Sequence, residues 1–263
     1  MFLSNLPDLT GGRWLQCVHP DAPVEHLLTD SRQIVPTTGG VFFALTGVHH
    51  DGHRYLADMY AAGVRHFVVA RPVPLPGADA DVLIVTAPLC AMQALAAHHR
   101  AQFALPVVGI TGSNGKTIVK EWLSALLTPD MELLRSPGSY NSQTGVALSV
   151  WQLRDRYRLA IFEAGISRPG EMVHLEGMIR PDIGIFTNIG PAHREGFASQ
   201  TEKIQEKMRL FGHCRLLICC SDHEKIAPHA LEWAQSRPGR SLLMWSRTGK
   251  PAFFAACSAW ATA

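Results

Sequence analysis

Hydrophobic positions along the chain switch between two spacings, and the switching predicts alternating strands and helices. Residues 40–45 form a continuous apolar run that reads as a buried strand, residues 55–62 carry helical spacing that stops at Gly63, and residues 67–70 read as another strand. A turn rich in proline, at Pro72, Pro74 and Pro76, leads to a strand over 82–85 and an alanine-rich helix over 88–102. After Pro106 the apolar run 107–111 enters a glycine-rich turn and an amphipathic helix over 116–127. Further strands are expected at 159–164, 183–188, 216–220 and 242–245, separated by helical segments that include 170–179 and 201–211.

This order predicts an α/β fold in two domains, a small α/β unit over residues 1–103 and a parallel-sheet domain over residues 104–263 with helices on both faces. Ligands of such sheets collect at the carboxyl ends of the strands, so the residues just after each strand matter most. The composition agrees with a folded chain: 263 residues can bury two cores, and 47% hydrophobic with 17% charged residues lacks the charge excess of disorder. The 24 basic and 22 acidic residues are scattered, which leaves no nucleic-acid footprint, and an anionic ligand must be held locally. The first residues lack a basic stretch followed by a long apolar one, and no apolar run reaches spanning length. A cytoplasmic location without membrane insertion is the expectation. The cysteines at 17, 90, 214, 219, 220 and 257 lack CxxC pairs and read as reduced thiols, mostly in the core.

The strongest chemical signal is Thr111-Gly112-Ser113-Asn114-Gly115-Lys116-Thr117 between a strand and a helix. Glycines let backbone N–H groups converge on phosphate oxygens, the helix N-terminus adds its positive end, Lys116 supplies a point charge, and Thr117 offers a hydroxyl to Mg²⁺. A nucleoside-triphosphate site is therefore predicted over Gly112, Ser113, Asn114, Gly115, Lys116 and Thr117. The spacing is a variant one, because Ile110 stands where the common P-loop has its first glycine and Gly109 comes one residue early.

The loop resembles the P-loop of the Mur ligase family. Asp30-Ser31-Arg32, Val41-Phe42-Phe43-Ala44-Leu45 and Asp51-Gly52-His53 resemble that family's N-terminal domain, which binds the UDP end of a sugar-nucleotide substrate. Tyr140-Asn141-Ser142-Gln143-Thr144-Gly145, Glu163-Ala164-Gly165-Ile166-Ser167 and Thr187-Asn188-Ile189-Gly190-Pro191-Ala192-His193 resemble successive motifs of its central ATPase domain, in the family's order. His193-Arg194-Glu195-Gly196-Phe197-Ala198-Ser199, with Gly170-Glu171-Met172, is similar to the branch that adds D-alanyl-D-alanine. The wording also resembles the ligase half of a bifunctional form fused to an alanine racemase, although no racemase residues are present.

The resemblance implies ATP and Mg²⁺ as cofactors, and UDP-N-acetylmuramoyl tripeptide and D-alanyl-D-alanine as substrates. It implies substrate contacts at Asp30, Ser31, Arg32 and Asn141, catalytic roles for Lys116, Glu163, His193 and Lys207, and metal ligation by Thr117, Glu163, His193 and Lys207. Lys207 matches the family's carbamylated lysine by its spacing to Phe211, better than Lys203 does. Taken alone, Glu163 also reads as a solvated strand-end acid, His193 as an ordinary surface or core histidine, and Lys207 as part of a charged helix face. His49, His50 and His53 read as an exposed or substrate-contacting loop without acidic partners, not as a metal cluster. Ser221 stands where the family often has an asparagine, which leaves the adenine contacts open. A third, C-terminal domain of the family is expected to be absent and would be the intramolecular partner. Residues 1–263 alone are then expected to bind substrates weakly but form no product. The rival readings are a ligase of the folylpolyglutamate type and a noncatalytic nucleotide- or UDP-sugar-binding protein.

Overall fold

The computed structural model describes residues 1–30, 32, 39–48, 50–190, 196–247 and 249, and the backbone of 252–255. The chain divides into two compact units, Met1–His99 and Arg100–Ala263. The elements of the first are α1 (Leu6–Thr10), β1 (Arg13–Gln16), β2 (His26–Leu28), β3 (Gly40–Phe43), α2 (Leu56–Ala61), β4 (His66–Val69), β5 (Asp81–Ile84) and most of α3 (Pro88–Arg100). Its sheet has the order β1-β5-β4-β3-β2, with β1 antiparallel to β5 and the other pairs parallel. Phe42 and Phe67 meet edge to face at 6.4 Å between ring centroids, and Leu56, Met59 and Val82 close the core around them. Each such fully buried side chain contributes about 1.5–3 kcal/mol.

The second unit begins with β6 (Val107–Thr111), α4 (Lys116–Leu127), β7 (Leu133–Arg135), α5 (Gln143–Val150), β8 (Leu159–Glu163) and α6 (Glu171–Ile179). It continues with β9 (Ile183–Phe186), α7 (Gln200–Met208), β10 (Leu216–Cys220), α8 (Ala227–Gln235), β11 (Ser241–Trp245) and β12 (Ala252–Ala255). The sheet order is β12-β11-β10-β9-β6-β8-β7, parallel except for the β11–β12 pair. With β6 in the middle and neighbours that come later in sequence on both sides, the carboxyl ends of β6, β8 and β9 open side by side.

Several expected elements shorten. The helix expected over 55–62 is a 3-10 turn, Gly52–Tyr55, followed by α2. That expected over 201–211 ends as α7 at Met208 and tightens into the 3-10 turn Arg209–Phe211, a common way for a helix end to satisfy its last carbonyls. Gly109 belongs to β6, where an added Cβ would stand 2.9 Å from Cβ of Pro181, so this glycine serves strand packing and not the loop. No helix of the described residues is long and apolar enough to cross a membrane.

One expectation is corrected here. His53 is neither exposed nor without an acidic partner: it is buried, its Nδ1 lies 2.6 Å from Oδ1 of Asp51, and its Nε2 accepts the Ala70 amide at 3.0 Å. The corner before α2 is thereby tied to the end of β4. Asp51 also pairs with Arg71 at 2.7 Å, and the two partners hold its carboxyl well below the usual range. His50 is exposed and stacks on Tyr55, 5.5 Å between centroids. His49 lies outside the described residues.

Candidate active site

The loop 112–115 leaves the buried strand β6 and turns straight into α4, whose first amides have no partner within the helix. Gly112 has φ +149° and Gly115 φ +80°, conformations that cost little only for glycine. The loop is laced to the segment that follows β9. The amides of Ser113 and Asn114 donate to the carbonyl oxygen and Oδ1 of Asn188 at 2.9 and 3.0 Å, and Thr187 Oγ1 donates to the Asn114 carbonyl at 2.6 Å. Thr187 and Asn188 thus shape the loop, a function that sequence reading did not assign them. A Cβ on Gly112 would stand 2.0 Å from Thr187 Oγ1. Gly112→Ala is therefore expected to cost about 1–3 kcal/mol in backbone strain, and to loosen the Thr187 contact as well. Denaturant midpoints of the two forms measure the loss.

Charge converges on one end of the sheet. Lys116 Nζ donates to the Gly112 carbonyl at 3.0 Å, and Lys207 Nζ, from α7, donates to the same oxygen at 3.2 Å. Lys207 is only 2% exposed. Burial first, then repulsion from Lys116 and Lys203, pushes its ammonium pKa down to about 7. Burial also lowers that of Lys116, against the attraction of Glu163 and with the repulsion of Lys203. The reading of Lys207 as a solvated helix face is set aside by this burial.

Glu163, at the carboxyl end of β8, is fully buried and is not a solvated acid. Its Oε2 accepts Thr117 Oγ1 at 3.0 Å and Asn141 Nδ2 at 3.4 Å. Its Oε1 lies 2.9 Å from Nζ of Lys120, a close ion pair that lacks hydrogen-bond geometry, so that oxygen has an opposite charge beside it but accepts no hydrogen bond. Lys120 is itself fully buried and donates to the carbonyls of Ser136, at 2.8 Å, and Gly138. This lysine also went unassigned in the sequence. The signal was available: Lys120 is one helical turn beyond Lys116, and a helix that aims residue 116 at the strand ends aims residue 120 the same way.

A cavity of about 670 Å³ opens over these groups, bordered by Ser113, Lys116, Asn141, Ser167, Lys203 and Lys207. A second, of about 620 Å³, lies against the other side of the loop, with Ile118, Ile218, Trp245 and Asp222 in its wall. Among the residues singled out in the sequence, Lys116, Thr117, Asn141, Glu163 and Lys207 therefore come together. His193 lies outside the described residues. In the first unit, Asp30 accepts the backbone amide, Nε and Nη2 of Arg32 at 3.0, 2.9 and 2.7 Å, which lowers its carboxyl pKa to about 2. Ser31, between them, lies outside the described residues.

A sequence profile of the Mur ligase middle domain matches residues 110–254, more than half of the chain. The chain belongs to the Mur ligase family. This Mur ligase chain is 32% identical over 193 residues to the UDP-N-acetylmuramoyl-tripeptide–D-alanyl-D-alanine ligase of Synechocystis, covering 73% of the chain and 42% of that relative. It is similar to a crystal structure of MurF from Acinetobacter baumannii, at 28% identity and TM-score 0.82, over 94% of this chain and 53% of that one. The MurF ligase of Thermotoga maritima, solved in complex with ADP, matches with TM-score 0.74 and 25% identity over 86% of this chain and 51% of that one. The chain spans about half the length of the relatives it matches.

Proposed function

We propose that this Mur ligase chain carries the sugar-nucleotide unit, residues 1–103, and the ATP-binding unit, residues 104–263, of an ATP-dependent ligase. In this reading the enzyme joins D-alanyl-D-alanine to UDP-N-acetylmuramoyl tripeptide in peptidoglycan synthesis, in the cytoplasm. The observation that carries it is the pair of lysines, Lys116 and Lys207, that meet on the Gly112 carbonyl beside a buried Glu163 and Thr117. The Lys116 ammonium on a weak acceptor is poised for a stronger anion, and a triphosphate is the anion this loop geometry suits, while burial lowers the pKa of Lys207 to about 7 and leaves its amine for modification. The apolar cavity beyond the loop is the place left for the base and ribose.

The donor set also suits Mg²⁺. Thr117 Oγ1 and Glu163 Oε2 are hard oxygens 3.0 Å apart, the ligand type that magnesium takes. His193 and a carbamylated Lys207 complete the set in this reading. Bound there, Mg²⁺ supplies charge neutralisation between phosphate and carboxylate. Carbamylation needs a neutral amine. The Lys207 nitrogen adds to the carbon of CO₂, one C–O π pair moves onto oxygen, and the surplus proton leaves to water. Asn141, beside Glu163, is placed to position the substrate, and Asp30, Ser31 and Arg32 serve the sugar-nucleotide end.

The reaction then runs in two steps. A substrate carboxylate oxygen bonds to the γ-phosphorus of ATP as its bond to the ADP oxygen breaks. The amine of D-alanyl-D-alanine next attacks the acyl carbon, phosphate departs, and the amine proton passes to solvent. Lys116 and the amides of the loop hold the phosphates in line and offset their charge. Lys116→Ala removes one charge-assisted contact worth about 1.5–3 kcal/mol, so ATP affinity is expected to fall about 10- to 100-fold with the fold intact. Equal affinities in calorimetry would exclude the loop as the triphosphate site. Calorimetry with UDP-N-acetylmuramoyl tripeptide and with a folate substrate separates the rivals: heat from the folate alone would favour the folylpolyglutamate type.

A further inference from the structure

Strand β1 runs antiparallel to β5, so the chain leaving β1 emerges beside the start of β5, where Asp81 is fully buried. Oδ1 of Asp81 accepts the backbone amide of His19 at 2.9 Å and that of Val18. Its Oδ2 is 2.9 Å from Nδ1 of His19 and 2.8 Å from Nδ1 of His66. His66 opens β4 and is the register partner of Asp81 in the parallel β4–β5 pair, so backbone pairing alone sets this ring beside this carboxylate. Ligand atoms of the three side chains all lie within 4.8 Å of one another.

We propose that His19, His66 and Asp81 bind a zinc ion that staples the exit of β1 to the edge of the sheet. Two imidazole nitrogens and one carboxylate oxygen form a set that zinc takes readily, whereas Mg²⁺ and Ca²⁺ favour all-oxygen sets. With bonds of about 2.0–2.1 Å, tetrahedral ligands stand about 3.3–3.4 Å apart. The two Nδ1–Oδ2 separations, 2.9 and 2.8 Å, therefore have to open by about half an ångström. The His19 side chain, 42% exposed, has room to turn by that much and leaves a fourth position for water. With zinc bound, each ring would give up the Nδ1 proton that faces Oδ2 in the metal-free arrangement and carry its proton on Nε2. The two amides on Oδ1 fix the carboxylate and leave Oδ2 aimed at the rings, the outer support that metal-binding carboxylates need. The site lies at the amino ends of β4 and β5, away from the strand ends where α/β ligands collect, so the ion is structural.

The test loads the purified chain with Zn²⁺, dialyses it against metal-free buffer, and measures bound zinc and thermal midpoint for the parent and for His19→Ala. The parent is expected to retain one zinc per chain and to melt higher with it than after chelation. His19→Ala, which loses a half-exposed ring, is expected to fold but to retain no zinc and show no shift. Should His19→Ala not fold, the Co²⁺ spectrum of the parent decides: intense tetrahedral d–d bands support the site and weak octahedral bands overturn it. A parent that keeps no zinc, or a folded His19→Ala that keeps as much as the parent, also overturns it and leaves a purely hydrogen-bonded knot.

Discussion

Lys120→Met is expected to destabilise the second unit by about 3–5 kcal/mol, the range for removing one partner of a buried ion pair. Lys120 and Glu163 are both 0% exposed and stand 2.9 Å apart, and no water reaches either to offset the loss. The carbonyls of Ser136 and Gly138 would also lose the donor they share. Adding Glu163→Gln to Lys120→Met removes the uncompensated charge, so the double variant should lose less than the sum of the two single losses. Urea denaturation of all four forms measures this coupling. Strict additivity would mean that the two groups do not stabilise each other, and a single-variant loss below about 1 kcal/mol would place the pair with exposed ones.

The functional weight of that pair lies in what it does to Glu163. Lys120 holds Oε1 from behind while Thr117 and Asn141 face Oε2. The carboxylate at the end of β8 is therefore aimed by two side chains of α4 and one from the loop before α5, and the two oxygens face different partners.

How far this was legible in the sequence depended on the length and exposure of each element. The long apolar runs before the loop and before Glu163 became β6 and β8, since a strand buried on both faces needs continuous apolar residues. β2 and β7, three residues each, are too short to show a period. Helix α5 left no amphipathic trace because Gly145, Val146, Ala147, Ser149 and Val150 are all buried, which erases the polar face that marks a helix. In α7 periodicity gave the wrong exposure. Glu206 and Lys207 look like a solvated face, yet Glu206 Oε1 accepts the amides of Gly170 and Met172 at 2.8 and 3.1 Å, supplying the start of α6, and Lys207 turns into the loop. For Glu206 and Lys207 the partners that bury them are distant in sequence, so the helix's own period carries no sign of them. Past the last strand expected from the sequence, Ala252–Ala255 adds a backbone strand, β12, antiparallel to β11.

Lys207 should make the stability of the ligand-free chain depend on pH in an unusual direction. Its pKa is lowered from 10.5 to about 7 by burial, with Lys116 and Lys203 adding repulsion. Below that folded value both folded and unfolded chains hold the proton, and folding bears the whole cost of burying the charge. Above it the folded chain releases the proton while the unfolded one keeps it. More protons are then bound in the unfolded state, and stability rises with pH until the unfolded lysine also titrates. Over the interval from about 7 to about 10 the gain is on the order of a few kcal/mol. Lys207→Met removes both the cost and the slope, so the variant should be more stable than the parent at pH near 6, with the difference shrinking as pH rises. Denaturation at several pH values reads this directly, and parallel curves for parent and variant would show that the amine is not depressed. The same property separates Lys207 chemically from its neighbours, because near neutral pH a sizeable share of it is an unprotonated nucleophile. With ¹³C-labelled bicarbonate the parent should therefore show a carbamate carbonyl resonance that Lys207→Met lacks and Lys203→Met retains. A resonance that survives in Lys207→Met would assign the modification elsewhere and remove Lys207 from the proposed metal set.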